Sequence, residues 1–376
     1  MNYIALLLSF SLSALVTAVM IPRIILISFK KKLFDTVDER KVHTGVVPRL
    51  GGVAFAPALM VSYALVFGFS TLLGYSPQEG GATPLHLALG VCALLLIYFE
   101  GITDDLVGVG YKVKFLVQAL CALLIVLSGV WLNDLYGLFG IHALPWYVGK
   151  PLTVVLLVYV INAINLIDGI DGLASGLSMV ALFFLGCLFA SLGNWVSAGI
   201  SLAMLGALVP FFRFNVFGKA ERHNKIFMGD CGSQLVGLVL GMEAVWFCMY
   251  SEEAGVVTSM PNALVVAFSL LMIPCLDVIR VMCGRLRRGK NPFLPDKTHI
   301  HHKFLALGMS HRTAMLTILM IDFAFALLNL QLVSLLNINL LLLLDVALWC
   351  AMNLWVSQTI KKKQGAASGT EGNSAP

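Results

Sequence analysis

The chain has 376 residues, 59% of them hydrophobic and only 12% charged, with a mean hydropathy of +0.89 and a formal charge of +5. A soluble globular domain carries about 45 to 50% apolar and about 25% charged residues, so an ordinary water-soluble protein is excluded. The positive charge is spread over many short loops, which also excludes a nucleic-acid-binding stripe.

Apolar stretches of the length a helix needs to cross about 30 Å of hydrocarbon recur along the chain. They fall at 3–28, 50–70, 84–103, 113–132, 151–167, 173–191, 195–212, 231–250, 261–282, 313–334 and 338–360, which predicts an all-α polytopic bundle of about 11 transmembrane helices. The alternation over about ten residues that marks a membrane β-barrel is missing. The first stretch is too long for a signal-peptide core and is followed by Lys30-Lys31-Lys32, so it reads as a retained helix with its N-terminus outside. With Arg23 and Arg280 counted at the helix ends they flank, Lys150 is the only one of 25 Lys and Arg on the outer side. The C-terminus is then cytoplasmic. Residues 1–360 read as one transmembrane domain and 361–376 as a basic, then disordered, tail. The eight Cys contain no Cys-x-x-Cys pair and read as packing residues. No internal repeat supports an inverted-repeat transporter.

Polar motifs cluster at the ends of these spans, on the side rich in Lys and Arg. Asp38-Glu39-Arg40-Lys41-Val42-His43 precedes Pro48-Arg49-Leu50-Gly51-Gly52. Asp104 and Asp105 end the third span, where an adjacent pair can hold Mg²⁺ or accept a proton, and Lys112 and Lys114 follow. A solvated helix end would look the same. Asn162, Asn165, Asp168 and Asp171 recur every third residue, a pattern poorly explained by packing beside hydrocarbon. Phe227-Met228-Gly229-Asp230 opens the eighth span, whose free N–H groups suit phosphate oxygens. Asp230 could bind a cation bridging those phosphates, or serve as an N-cap. His299-Ile300-His301-His302 lies among cations in the longest basic loop, which favours donors to a pyrophosphate over a zinc site. No nucleotide-binding glycine loop is present.

Together these motifs, in order from Asp38 to His302, resemble the polyprenyl-phosphate N-acetylhexosamine-1-phosphate transferases. Pro295 to His302 looks like the GlcNAc-1-phosphate branch, whereas the phospho-MurNAc-pentapeptide branch carries three consecutive His. A Lys also follows the Asp pair closely in that second branch; here Leu106-Val107-Gly108 intervene before Lys112.

The resemblance implies transfer of a sugar 1-phosphate, GlcNAc 1-phosphate first among them, from a UDP-N-acetylhexosamine to undecaprenyl phosphate. UMP would be released, and Mg²⁺, or Mn²⁺ in its place, would be required. It implies that Asp230, with Asp168, ligates the metal, that Asp104 and Asp105 form the essential acidic pair, and that Asp104 deprotonates the lipid phosphate. Asp168, Asp171 and Asn165 match the nucleotide site, Phe227 an aromatic set against uracil, and His299, His301 and His302 the pyrophosphate loop. Lys41, His43, Lys112 and Lys114 match basic positions around the substrates. The expected setting is the bacterial inner membrane with the site facing the cytoplasm, among membrane lipids, and homodimerisation stays open. An ion-coupled transporter is the different-class alternative, and a phospho-MurNAc-pentapeptide transferase with another UDP-sugar donor the same-class one. A CDP-alcohol phosphotransferase lacks its Asp-Gly-x-x-Ala-Arg pattern here, since Asp171-Gly172 runs into Leu173-Ala174-Ser175.

Overall fold

Backbone in hydrocarbon has to satisfy its own N–H and C=O groups, and the apolar runs accordingly fold as helices over almost their whole predicted length. The computed structural model describes residues 2–33, 46–72, 74, 84–253, 262–290 and 298–371. In chain order the elements are α1 Asn2–Lys31, α2 Phe55–Leu72, α3 Pro84–Val107, α4 Tyr111–Leu127, β1 Asp134–Leu138, β2 Ile141–Ala143, α5 Trp146–Ile167, α6 Leu173–Ser191 and α7 Trp195–Val216. There follow α8 Gly229–Glu253, α9 Ala263–Ser269, α10 Met272–Arg287, α11 Ile300–Ala306, α12 His311–Leu332 and α13 Ile338–Glu371. Lys41 and His43, both expected near the substrates, lie outside the described residues.

Among the described residues nine helices are long and apolar enough to cross a membrane. The chain is therefore a polytopic, almost wholly helical membrane protein. Helix α4 has 17 residues, a length of about 25 Å at 1.5 Å per residue.

Three features differ from expectation. The straight span expected at 261–282 is broken into α9 and α10, which meet at 74°. Pro274 explains the break, because it has no N–H for the carbonyl of residue 270 and its ring crowds that carbonyl. Beyond α4, where Gly129 takes a φ of +105°, the chain forms the antiparallel hairpin β1–β2, so the bundle is not purely α. Asn339 ties the hairpin to α13, accepting from the Phe139 N–H at 2.7 Å and donating to the Gly137 carbonyl at 3.1 Å. Finally, α13 is helical to Glu371, inside the tail expected to be disordered.

Helix α8 is the axis of the bundle. Its apolar stretch is 89% buried, against 28% for α1 and for α13, and Leu235, Val236, Val239 and Leu240 are fully enclosed. The N-terminus of α8 therefore brings Asp230 into the middle of the protein rather than to its lipid-facing rim.

Candidate active site

Three strands of contact seat the N-terminus of α8. Residues 48–52 run alongside 227–228: Phe227 N–H donates to the Pro48 carbonyl (2.8 Å), Gly51 N–H to Phe227 (3.0 Å) and Gly52 N–H to Met228 (2.8 Å). Gly52 lies directly on Gly232, so close that a Cβ there would overlap the Gly232 backbone. From α3, the Asp105 carboxylate accepts the N–H groups of Asp230 (2.8 Å) and Cys231 (3.0 Å). Asp105 thus acts as an N-cap supplied by another helix, using donors that a helix's first turn leaves orphaned.

Asp104, one residue earlier, points elsewhere. It accepts the Val109 N–H at 2.7 Å and is ion-paired with Lys114 of α4. Lys114 also stands 3.6 Å from Asp230, and the Asp104 and Asp230 carboxyls lie within hydrogen-bonding reach of each other. Asn165, at the end of α5, donates to Asp230 (2.5 Å) and to the Ser233 hydroxyl (2.8 Å), which fixes the Asp230 carboxylate. Asn162 joins a different chain, donating to Gln118, which in turn donates to Gln234. Lys112 is exposed on α4 and has no ion pair among the described residues. Two residues from Lys114 on a helix, it faces away from the cluster.

Asp168 and Asp171 sit in the turn between α5 and α6. Asn215 of α7 holds this turn, accepting the Gly172 N–H (2.7 Å) while donating to the Ile226 carbonyl (2.9 Å). Asp171 pairs with Lys225 at 2.5 Å, and the Lys225 ammonium lies 5.7 Å from the centre of the Phe227 ring. Asp168 faces the site cavity. Its side chain is open to that cavity, and the surrounding protein together with the charges of Asp230 and Asp171 pushes its carboxyl above the usual carboxylate range, against a downward pull from Arg49.

The histidine segment is placed by a residue that sequence reasoning missed. Asp277 of α10 is fully buried and accepts from His299 Nδ1 (2.8 Å), the Ile300 N–H (3.0 Å) and Arg280 (2.6 Å). Arg280 also donates to the Thr298 carbonyl. An acid isolated among Leu276 and Val278, three residues before an Arg, was the available signal. Asp277→Ala would leave the half-buried Arg280 guanidinium without its counter-ion and the buried His299 ring without its acceptor, at a cost of about 3 kcal/mol. A marked fall in Tm in detergent is the expected result, with a smaller fall for Asp277→Asn.

His299 and His301 are 6% and 2% exposed, so of the three histidines it is His302 that reaches the cavity. Burial and the neighbouring His302 hold the His301 imidazole down to about 3, which leaves it neutral at physiological pH. The Nε2–Cε1 edge of its ring lies against Gly169, where a Cβ would overlap both atoms. Gly169→Ala is expected to displace the His301 ring and lower turnover severalfold while the bundle stays folded. Comparing kcat with Tm for the purified variant checks both halves of that statement.

These elements enclose a cavity of about 550 Å³ lined by Asp105, Asn165, Asp168, Asp171, Phe227, Asp230 and Ser233. Arg49, His302 and His311 bring basic or donor groups to the same walls; Arg49 belongs to the early basic motif noted in the sequence, whereas His311 had not been expected there. Lys114 reaches the edge of the site through Asp230. Among the described residues no group of three or more His, Cys, Asp and Glu is arranged to hold a metal ion by itself.

The bundle and its acidic cavity define a polytopic membrane protein with a charged site at the end of its central helix. A model of the family described as glycosyl transferase family 4 matches residues 87–248. The undecaprenyl-phosphate alpha-N-acetylglucosaminyl 1-phosphate transferase of Yersinia pestis is 31% identical over 298 residues, 78% of this chain and 74% of that protein. Its namesake in Escherichia coli K12 is 32% identical over 295 residues, 77% and 73% of the two chains. A probable undecaprenyl-phosphate N-acetylglucosaminyl 1-phosphate transferase of Bacillus subtilis strain 168 is 32% identical over 320 residues, 85% and 82% of the two chains. The chain belongs to this family of glycosyl transferases.

Proposed function

We propose that the protein transfers an N-acetylhexosamine 1-phosphate, GlcNAc 1-phosphate first among them, from a UDP-sugar to undecaprenyl phosphate. The observation that carries the reading is the meeting of Asp230, Asp168 and Asn165 around one cavity that also holds Phe227, with the Asp104–Lys114 pair standing beside Asp230. The names of the relatives support it over an ion-coupled transporter. The proposed topology has eleven spans, counting α4 and the bent α9–α10 pair, with the N-terminus outside and the site facing the cytoplasm of a bacterial inner membrane.

The donor set suits Mg²⁺, which is usually held by one or two carboxylates, with substrate phosphates and water completing its shell. The surrounding protein and then the charges of Asp230 and Asp171 raise the Asp168 carboxyl, and a cation held by Asp168 and Asp230 would offset that charge. When bound, the ion would supply charge neutralisation on the diphosphate and on departing UMP.

The protein's own residues do the positioning. Asn165 keeps Asp230 turned toward the cavity, Phe227 offers a flat wall for uracil, and Lys225 holds Asp171 beside it. Lys114 is a cation at the membrane end of the site, suited to the lipid phosphate. Drawing Lys114 toward that phosphate would free Asp104 to accept its remaining proton. A lipid phosphate oxygen then bonds to the sugar-bearing phosphorus while the bond from that phosphorus to the oxygen bridging to UMP breaks. The second pKa of a phosphate monoester is about 6, so proton removal needs little help and orientation contributes most.

The test incubates purified protein with undecaprenyl phosphate, Mg²⁺ and a panel of labelled UDP-sugars, following label into the organic phase and UMP into the aqueous phase. Transfer from UDP-GlcNAc with matching UMP release is expected. Label that stays aqueous with every donor would overturn the reading.

A further inference from the structure

A second cavity, of about 280 Å³, lies between α2, α3, α7 and α8. It is lined by Glu243 and Trp246, which are 13 and 16 residues beyond Asp230, a rise of about 20 Å or more along the helix. It therefore sits toward the opposite end of the bundle from the site above. Most of its wall is apolar, including Leu59, Leu94 and Ile200. Gly90 faces it with open space, since a Cβ there would meet nothing within 4 Å. Val91, 42% exposed, marks where the cavity reaches the surface of α3.

Two buried polar atoms on this wall lack a partner: Oε2 of Glu243 and Nε1–H of Trp246. Glu243 is 1% exposed, and although the Ser197 and Ser201 hydroxyls lie beside its carboxyl, Oε2 is unmatched. Residues 243 and 246 are three apart and share a helix face. An unpaired buried donor or acceptor costs about 1 to 3 kcal/mol, so two of them, on neighbouring residues of one cavity wall, point to something that satisfies both. The Trp indole only donates, and the carboxyl beside it can accept. A hydroxyl is the simple group that accepts from the first and donates to the second, whereas an ammonium cannot accept. Water meets the same demand at that end, but the apolar remainder of the cavity disfavours a water-filled space.

We propose that this cavity binds the hydroxyl end of an uncharged, chain-like lipid alcohol, with the oxygen between Trp246 and Glu243 and the chain along the Leu59, Leu94 and Ile200 wall. The site is separate from the transfer reaction and takes a different ligand from either substrate proposed above.

The test uses the full-length protein in lipid nanodiscs with diazirine-bearing probes: a linear dodecanol, its methyl ether, the matching alkane, and a farnesol analogue. Labelled residues are mapped by mass spectrometry. Label in the α3 and α8 peptides that line the cavity is expected to be about tenfold greater for an alcohol than for the ether or alkane, as befits one lost hydrogen bond. The linear and isoprenoid arms tell a glycerolipid-like chain from a polyprenol. Glu243→Leu and Trp246→Phe should each erase the preference for the alcohol, and Gly90→Leu should fill the space and abolish cavity labelling. All three should keep the parent's turnover, which certifies folding. Equal labelling by alcohol and alkane, a preference that survives both Glu243→Leu and Trp246→Phe, or no cavity label from any probe, as water-only occupancy would give, overturns the proposal.

Discussion

Replacing Asp230 with Asn is expected to cut turnover by about 10²- to 10³-fold, the loss that follows removal of one preorganised group serving a transition-state charge, while the bundle stays folded. Asn has almost the same shape and keeps an oxygen that can accept from Asn165, whose present bond to Asp230 is 2.5 Å. The Asp105 cap acts on the backbone of residue 230 and is indifferent to its side chain. What disappears is the negative charge that faces Lys114 and the cavity. Saturating kcat at several Mg²⁺ concentrations, beside Tm in detergent, separates the two effects. A variant that turns over like the parent would remove Asp230 from any charge-bearing role.

Gly52→Ala is expected to be strongly damaging, because the added methyl meets the Cα and N of Gly232 rather than a side chain that could swing aside. Overpacking of a tight core costs about 1 to 3 kcal/mol and more where backbone has to move. The upper end is expected here, seen as a large fall in Tm or failure to recover folded protein. The same displacement would tilt the first turn of α8 and carry Asp230 with it, so any folded fraction should also show depressed kcat. Normal stability in Gly52→Ala would mean that the two segments do not cross at this spacing.

The helices and the location of the acids were legible in the sequence because both follow from one-dimensional rules. A span needs a fixed apolar length, and a carboxylate beside hydrocarbon is tolerated at its wet end. Partnerships were not legible, since they depend on which helix ends meet in space. Asp104 and Asp105 look equivalent as neighbours, yet one pairs with a lysine and the other grips the start of α8. Three histidines in four residues suggest one shared task, but a helix turn sends their rings in different directions. His299 faces Asp277, His301 faces Gly169, and His302 reaches the cavity. The break before Pro274 could have been read from the proline itself. The β1–β2 hairpin had weaker cues, with its five- and three-residue strands lying between long apolar runs.

The short helix α11 is fastened to α13 twice: Lys303 donates to Asn353 at 3.1 Å and to Ser357 at 3.0 Å, and Lys363 donates to the Leu307 carbonyl at 2.7 Å. A nascent polypeptide can therefore hold His299 through Asp277, already translated, but cannot dock α11 when it leaves the ribosome, because the receiving positions are translated some fifty residues later. Completion of the candidate site is in this way tied to α13, and a product cut short ahead of it would keep the Asp277 contacts of its histidine corner but lose the support of α11.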